Sequence, residues 1–520
     1  MSNRFTDILF QLIHALEKSE KRHFKLYIKR SSAKEELKII QLFDAISKLR
    51  SYDEKQLLKK LPGIEKPQLS NLKTHLYKEI LSSLRLLKST DSIDLQLNEQ
   101  HDYAHILYKK GLFQQSLRII EKAKETARTQ QKFNHLAQLI ALEKHIETLH
   151  ITRSMQEKAD ELATEALQVS QRTDTIVKLS NLALQLYGWY IKHGHARDEE
   201  DEKDIKAFFS AHRPPENLNS MGFYEKLYGY QSYTTYAFIR QDFLMHYRYT
   251  QKWADLFTND PSMIRIETGH YIKALHNLMN AHFDLRNHQL FEKTLARFEA
   301  FAASDRVLHN DNFRVQCFIY INNARLNQHF MQGTFQQGLE LIPVLEKQIE
   351  EYDIYLDLHR VLVFNYKMAL MHFGSGNYSE CIDYLHRIIH ESMDLRYDLQ
   401  CYARLLHLLA HFELGNYELI EPLSRSVYRF MSKRKNFTVV EEEMFKFLRK
   451  RIKVRNQELY TELQDFLHRV KKFEKSRFET RAFAYLDIIS WVESKVYRKT
   501  MSEVIREKYL QSRKRNYPDG

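Results

Sequence analysis

His372-Phe373-Gly374-Ser375-Gly376-Asn377-Tyr378 decides the reading of this chain. It returns as His411-Phe412-Glu413-Leu414-Gly415-Asn416-Tyr417 and, more loosely, as His329-Phe330-Met331-Gln332-Gly333-Thr334-Phe335. The shared frame is His-Phe, two variable residues, Gly, one variable residue and an aromatic. Self-similarity of this kind marks a stacked-repeat fold and takes precedence over any motif.

Outward from this phrase, Phe364, Met368 and Met371 stand at helical spacing before the glycines. Tyr378, Cys381, Ile382, Leu385, Ile388 and Ile389 line one face of a second helix after them. Gly376 is predicted just past a helix C-terminus, where a left-handed backbone costs glycine little. The aromatic two residues later opens the next helix and is expected to pack back on Phe373. Each phrase therefore reads as a helix, a tight turn and a second, antiparallel helix. Weaker copies stand at Phe283, with Arg286 and Asn287 where Gly belongs, and at Phe238, with Gln241. The series Tyr108, Phe238, Phe283, Phe330, Phe373, Phe412 leaves a gap of about 130 residues after Tyr108. That gap has room for about two more degenerate units, near His150 and Tyr190.

The stretch Tyr-Ala-His-Ile-Leu-Tyr-Lys-Lys-Gly-Leu-Phe-Gln-Gln-Ser at 103–116 and the stretch 371–381 resemble tetratricopeptide repeats. In that family a small residue, usually Ala, lies five beyond the turn glycine; here Ser116, Gly338 and Cys381 hold the position and Ile420 departs from it. Spacings of 43 residues (Phe330 to Phe373) and 39 (Phe373 to Phe412) exceed the family period of ~34, which implies longer helices. The resemblance covers roughly residues 100–430. It implies an all-α solenoid of helical hairpins, with a groove along the first helices suited to a protein or peptide partner.

Composition agrees with an all-helical chain. Only 13 Gly and 8 Pro occur in 520 residues, too few for the turns of a large sheet protein. Three cysteines without metal-ligand spacing suggest reduced thiols. With no signal-type apolar segment and no run of ~18 apolar residues, a cytoplasmic location and no membrane partner are expected. Charge is uneven: residues 1–90 carry 19 Lys+Arg against 10 Asp+Glu, residues 431–520 carry 23 against 13, and residues 91–430 carry 37 against 44. Three regions are thus expected: a basic N-terminal helical module at 1–90, the repeat array at 91–430 and a basic C-terminal helical cap at 431–520. Asp198-Glu199-Glu200-Asp201-Glu202-Lys203-Asp204, followed by Pro214-Pro215, reads as a long acidic loop near 194–220.

Candidate binding residues come from two places. Residues 223–253 are rich in tyrosine, a side chain that combines rigid contact area with a polar tip, and Tyr230, Tyr233, Tyr247 and Arg248 are the predicted partner contacts. In the N-terminal module helices are expected at 5–18, 20–30, 34–49, 53–61 and 67–89, with Asp53 as an N-cap, Pro62-Gly63 as a stop and Pro67 as a first helical residue. The short helix, turn and longer helix suggest a helix-turn-helix organisation. Leu69, Leu72, Leu76, Ile80, Leu84 and Leu87 would make its buried stripe. Asn71, His75, Lys78, Ser82 and Arg85 would face out, able to touch nucleic-acid phosphates or base edges.

The histidine pairs His386/His390 and His407/His411 have the i, i+4 spacing of zinc ligands. However, His329, His372 and His411 recur at equivalent repeat positions, which favours scaffold use over metal binding. No phosphate-cradling Gly loop, nucleophile elbow or paired-Cys cluster occurs. The sequence therefore predicts no enzyme, no cofactor and no metal. It predicts an interaction scaffold, or alternatively a DNA-binding regulator with a repeat-built sensor.

Overall fold

The computed structural model describes residues 7–30, 34–61, 66–89, 92–150, 156–391, 397–433, 438–451, 459–474, 476, 478–479, 483 and 486–516. All regular structure among these residues is helical.

Eight helix–helix turns among the described residues share one hydrogen bond, from the amide just past a left-handed residue to the carbonyl five residues back; one, Lys499 to Ser494 at 2.9 Å past Arg498 (φ +54°), joins Ile488–Val496 to Met501–Asn516, and seven lie earlier in the chain. The seven earlier bonds are Leu112 to Leu107, Lys132 to Ala127, Asp242 to Ala237, Asn287 to His282, Thr334 to His329, Asn377 to His372 and Asn416 to His411, all 2.8–3.1 Å between N and O. This is the closure that satisfies carbonyls left open at a helix end. The left-handed residue is Gly111, Gly333, Gly376 or Gly415 (φ +66 to +84°) in four of these seven turns, as expected. In the other three it is Gln131, Gln241 and Arg286, at φ +55, +55 and +54°. The turn geometry is thus made without glycine at these positions, and Gln131 marks a turn that the aromatic frame does not reveal. The predicted aromatic contact is present in three turns: Phe330–Phe335, Phe373–Tyr378 and Phe412–Tyr417, at ring separations of 5.9, 5.4 and 6.1 Å.

These turns join Ile93–Lys109 to Phe113–Thr129, Phe113–Thr129 to Phe133–Leu149, Phe223–Ile239 to Phe243–Asn259, Thr268–Asp284 to His288–Ala302, Leu358–Ser375 to Tyr378–Ile389, and Tyr397–Glu413 to Tyr417–Ser432. Asp311–Gln332 is followed by a second helix broken into Phe335–Gly338, a 3₁₀ turn and Ile342–Glu351. Pro343, which lacks an amide hydrogen, opens the last piece. The small position works as predicted. Ser116 is fully buried and donates to the Ala104 carbonyl at 2.8 Å. A Cβ on Gly338 would lie 2.4 Å from Met371 Sδ, and one on Gly374 would lie 2.2 Å from the Phe335 ring. Ile420, the exception, is 1% exposed.

The chain divides into two compact units, Met1–Asp174 and Thr175–Gly520. In the first unit, Ile8–Ala15, Lys18–Ile28, Lys34–Ser47, Glu54–Lys60 and Lys66–Leu87 enclose one hydrophobic core that includes Phe10, Phe24, Phe43, Leu76 and Ile80. Asp53 caps its helix, accepting from the Lys55 and Gln56 amides. Pro62-Gly63 lies outside the described residues. Lys66 rather than Pro67 opens the last of these helices. Leu72 and Leu84 are half-buried, and Leu87 of the predicted buried stripe is 38% exposed. A second core joins Leu97, Ile120, Leu139, Ile140 and Ile146. There Lys124, 4% exposed in its side chain, sits between Glu143 at 2.6 Å and Glu165 at 2.7 Å.

Two expectations are corrected. About two degenerate units were expected between Tyr108 and Phe238, near His150 and Tyr190; that span holds the turn at Gln131, ahead of His150, and a helix of 38 residues, Gln156–His193, which runs on through Tyr190. The acidic run opens a helix, Glu199–Ala211, and is not a loop. Asp198 caps it by accepting from the Asp201 amide, and Glu199, Glu200, Asp201 and Glu202 fill the first turn. Carboxylates stabilise a helix N-terminus by complementing its partial positive charge, so an acidic run before an apolar stripe is a helix start.

In the second unit one core runs from Val315 to Ile505, so the helices after residue 431 share it with the last hairpins. Trp491 Nε1 donates to Glu413 Oε1 at 2.6 Å, and Phe447 stacks on Phe466. The helix Met501–Asn516 returns to an earlier turn, where the Ser502 hydroxyl donates to the Gly333 carbonyl at 2.6 Å.

Candidate functional site

In the second unit the helices Phe223–Ile239, Thr268–Asp284, Asp311–Gln332 and Leu358–Ser375 present one face each to a groove of about 670 Å³, and residues 180–191 of Gln156–His193 form its rim. The spacing follows from helix geometry: Gln231, Thr234 and Phe238 on the first, His270, Lys273 and Asn277 on the second, and Arg360, Val363 and Lys367 on the fourth recur every three or four residues along one stripe.

The groove is cationic. Lys273, Arg360 and Lys367 line it, together with four histidines, and no Asp or Glu is among the lining residues. Lys367 Nζ donates to Asn327 Oδ1 at 2.7 Å and to the Asn323 carbonyl at 3.3 Å, both neutral acceptors. Removal from water without a carboxylate pushes this lysine down to about 7. Lys273 lies 5.3 Å from the Tyr320 ring and has no carboxylate partner among the described residues. Arg360 reaches back to Asp357 at 3.1 Å. His276 stacks on Tyr320 at 3.9 Å and is held well below the ordinary histidine range, first by burial and then by Lys273, Lys367 and Arg360, so all three cations converge on it. His246 is pushed to about 4 by burial. Thr234 Oγ1, Trp253 Nε1 and Asn323 Oδ1 are buried and have no hydrogen-bond partner among the described residues. The rim is apolar: Leu184 is 67% and Tyr187 51% exposed.

The four residues predicted as partner contacts stand apart from the groove lining. Tyr230 is 6% exposed, its hydroxyl 3.0 Å from Asn219 Oδ1. Tyr233 stacks on Tyr249 at 4.2 Å, Tyr247 packs on His282, and Arg248 is exposed. The aromatic stretch does supply the groove with Tyr228, Phe238 and Trp253. What sequence reasoning missed was the cationic stripe. Its signal was present in Lys273, Asn277 and Asn280, polar residues at helical spacing in the first helix of a degenerate repeat.

On Lys66–Leu87, Asn71, His75, Lys78, Ser82 and Arg85 are all exposed, as the sequence predicts for that stripe. Arg85 pairs with Asp102 at 2.8 Å and His75 lies 3.8 Å from Glu79, so acids already face two of the five.

The histidine pairs meet across two helices, His386 Nε2 lying 3.2 Å from His407 Nε2, a hydrogen bond between one protonated and one bare ring nitrogen. Among the described residues, no group of three or more His, Cys, Asp or Glu side chains is placed to hold a metal ion. The repeat histidines brace the turns: His329 Nδ1 contacts Thr334 Oγ1 at 2.8 Å, and His372 stacks on Tyr384. Cys317, Cys381 and Cys401 are buried thiols that form no disulfide. No described helix is long and apolar enough to cross a membrane.

No family model matches the chain. A search of curated proteins finds no match either.

Proposed function

We propose that the helical hairpins stack as a tetratricopeptide-like solenoid and that the protein is a non-enzymatic, cytoplasmic interaction scaffold whose groove receives a segment of a protein or peptide partner. The observation that carries this reading is the groove itself, a concavity of about 670 Å³ lined in register by the first helices of successive hairpins, with large apolar side chains left uncovered at its rim. The test is affinity capture with the full chain as bait. Proteins retained by the wild type should be lost with the groove variants Tyr320→Ala and Lys273→Glu and kept with the exposed, off-groove Arg248→Glu. Identical captures from all three baits would sink the reading.

A second reading, a DNA-binding regulator, is favoured by the exposed polar stripe Asn71, His75, Lys78, Ser82 and Arg85, two of which already face acids. It requires that full-chain affinity for duplex DNA fall steeply with salt, and that Lys78→Glu flatten the slope by about one counterion. Binding that is weak and independent of salt removes it.

A further inference from the structure

We propose that the groove is specific for an acidic peptide segment: a carboxylate seats on Lys367 and Lys273 at the floor while a neighbouring apolar side chain covers Leu184 and Tyr187 at the rim. The proposal rests on the scaffold reading above and names the chemistry of its partner.

Charge complementarity is the first argument. Residues 91–430, in which every groove residue lies, carry 44 acidic against 37 basic side chains, yet none of the acids lines the groove. A cationic concavity inside a net-acidic segment is a local arrangement that bulk composition does not explain, and walls of low polarity concentrate its field.

The second argument is the state of the floor. Among the described residues Lys367, half-buried, has only neutral oxygens for partners, and Lys273 has no carboxylate. Ammonium groups withdrawn from water are ordinarily paired, and no described residue supplies that partner here. The Trp253 indole N–H, a donor only, and the Thr234 hydroxyl add buried hydrogen-bonding groups without partners in the same lining. An incoming carboxylate would supply the missing acceptor and restore the charged form of Lys367, the effect an adjacent opposite charge has on any lysine.

The rim selects among anions. A small inorganic anion would leave Leu184 and Tyr187, 67% and 51% exposed, uncovered. A peptide carrying both a carboxylate and an apolar side chain covers both features at once.

The experiment measures binding of a short fluorescent Glu/Leu peptide to the full chain, against the same peptide with Gln for Glu and against inorganic phosphate as competitor. The Glu peptide should bind at least about tenfold more tightly than the Gln peptide. Lys367→Met and, separately, Lys273→Gln should remove that preference while leaving Gln-peptide binding unchanged, with circular dichroism showing both variants folded. Equal binding of the two peptides, or an undiminished preference in both variants, overturns the charge assignment and leaves the groove as a docking site. Displacement by phosphate at concentrations equal to the peptide's overturns the peptide assignment in favour of a small-anion site. Binding of neither peptide, together with identical captures from wild-type and groove-variant baits, overturns both readings.

Discussion

A lysine whose only partners are neutral oxygens costs stability, and Lys367 makes that cost measurable. Its folded value of about 7 lies below the unfolded lysine value, so between those two values the unfolded chain binds a proton that the folded chain does not. The fold therefore loses stability as pH falls from about 10.4 to about 7, with no further loss below. Lys367→Met should raise stability at pH 7 by on the order of 1–3 kcal/mol, and the gain should shrink as the pH approaches 10; urea unfolding at several pH values reads it. A substitution that strengthens the fold while weakening acidic-peptide binding is the pattern expected of a residue kept for function. Lys124 behaves oppositely. It is buried between Glu143 and Glu165, and Lys124→Met leaves Glu165 only Arg128 at 2.6 Å and Glu143 only Lys158 at 3.4 Å among the ion pairs of the described residues, so a loss of about 1–3 kcal/mol is expected in the same assay. Arg286 is exposed and left-handed in a turn where four sister turns use glycine, so Arg286→Gly should add about 0.5–1 kcal/mol.

Among helices, glycine acts in two opposite ways. Gly374 lies where a methyl group would meet the Phe335 ring at 2.2 Å, so Gly374→Ala should cost about 1–3 kcal/mol by overpacking the contact between hairpins. Gly188, exposed inside the helix Gln156–His193, has nothing within 4 Å, and Gly188→Ala should add about 0.8–1 kcal/mol through helix propensity alone. Thermal melts of the two variants should therefore shift in opposite directions. The hairpins were legible in the sequence because each turn needs a left-handed residue and an aromatic at fixed offsets, and glycine advertises the first. Gln131, Gln241 and Arg286 fill that role without announcing it, which is why one turn went unseen. The acidic run misled because carboxylates read as solvated loop until Asp198 is recognised as a cap with its first turn behind it. The groove was the least legible feature. Lys273, Arg360 and Lys367 are up to 94 residues apart in the chain, and only hairpin packing brings them to one floor.

For the unit Thr175–Gly520, buried neutral histidines set the acid limit. His246, His282 and His407 are each pushed down to about 4, chiefly by burial. Their folded values lie below the unfolded histidine value near 6.5, so above 6.5 they contribute no pH slope. As pH falls from 6.5 to about 4, the unfolded chain takes up protons that the folded chain refuses. Stability should decline through that window by on the order of 2–3 kcal/mol per histidine, and His246→Gln should reduce the decline by one share, read from urea midpoints between pH 7 and 4.5. The bond from Ser502 to Gly333 has a different consequence, set by time. Its two ends are 169 residues apart, and a ribosome adding roughly 5–20 residues per second finishes the turn at Gly333 some 10–30 s before it makes the helix that fastens there. During that interval the turn at Gly333 waits without the contact that Ser502 later makes, leaving that edge open to solvent while the rest of the chain is made.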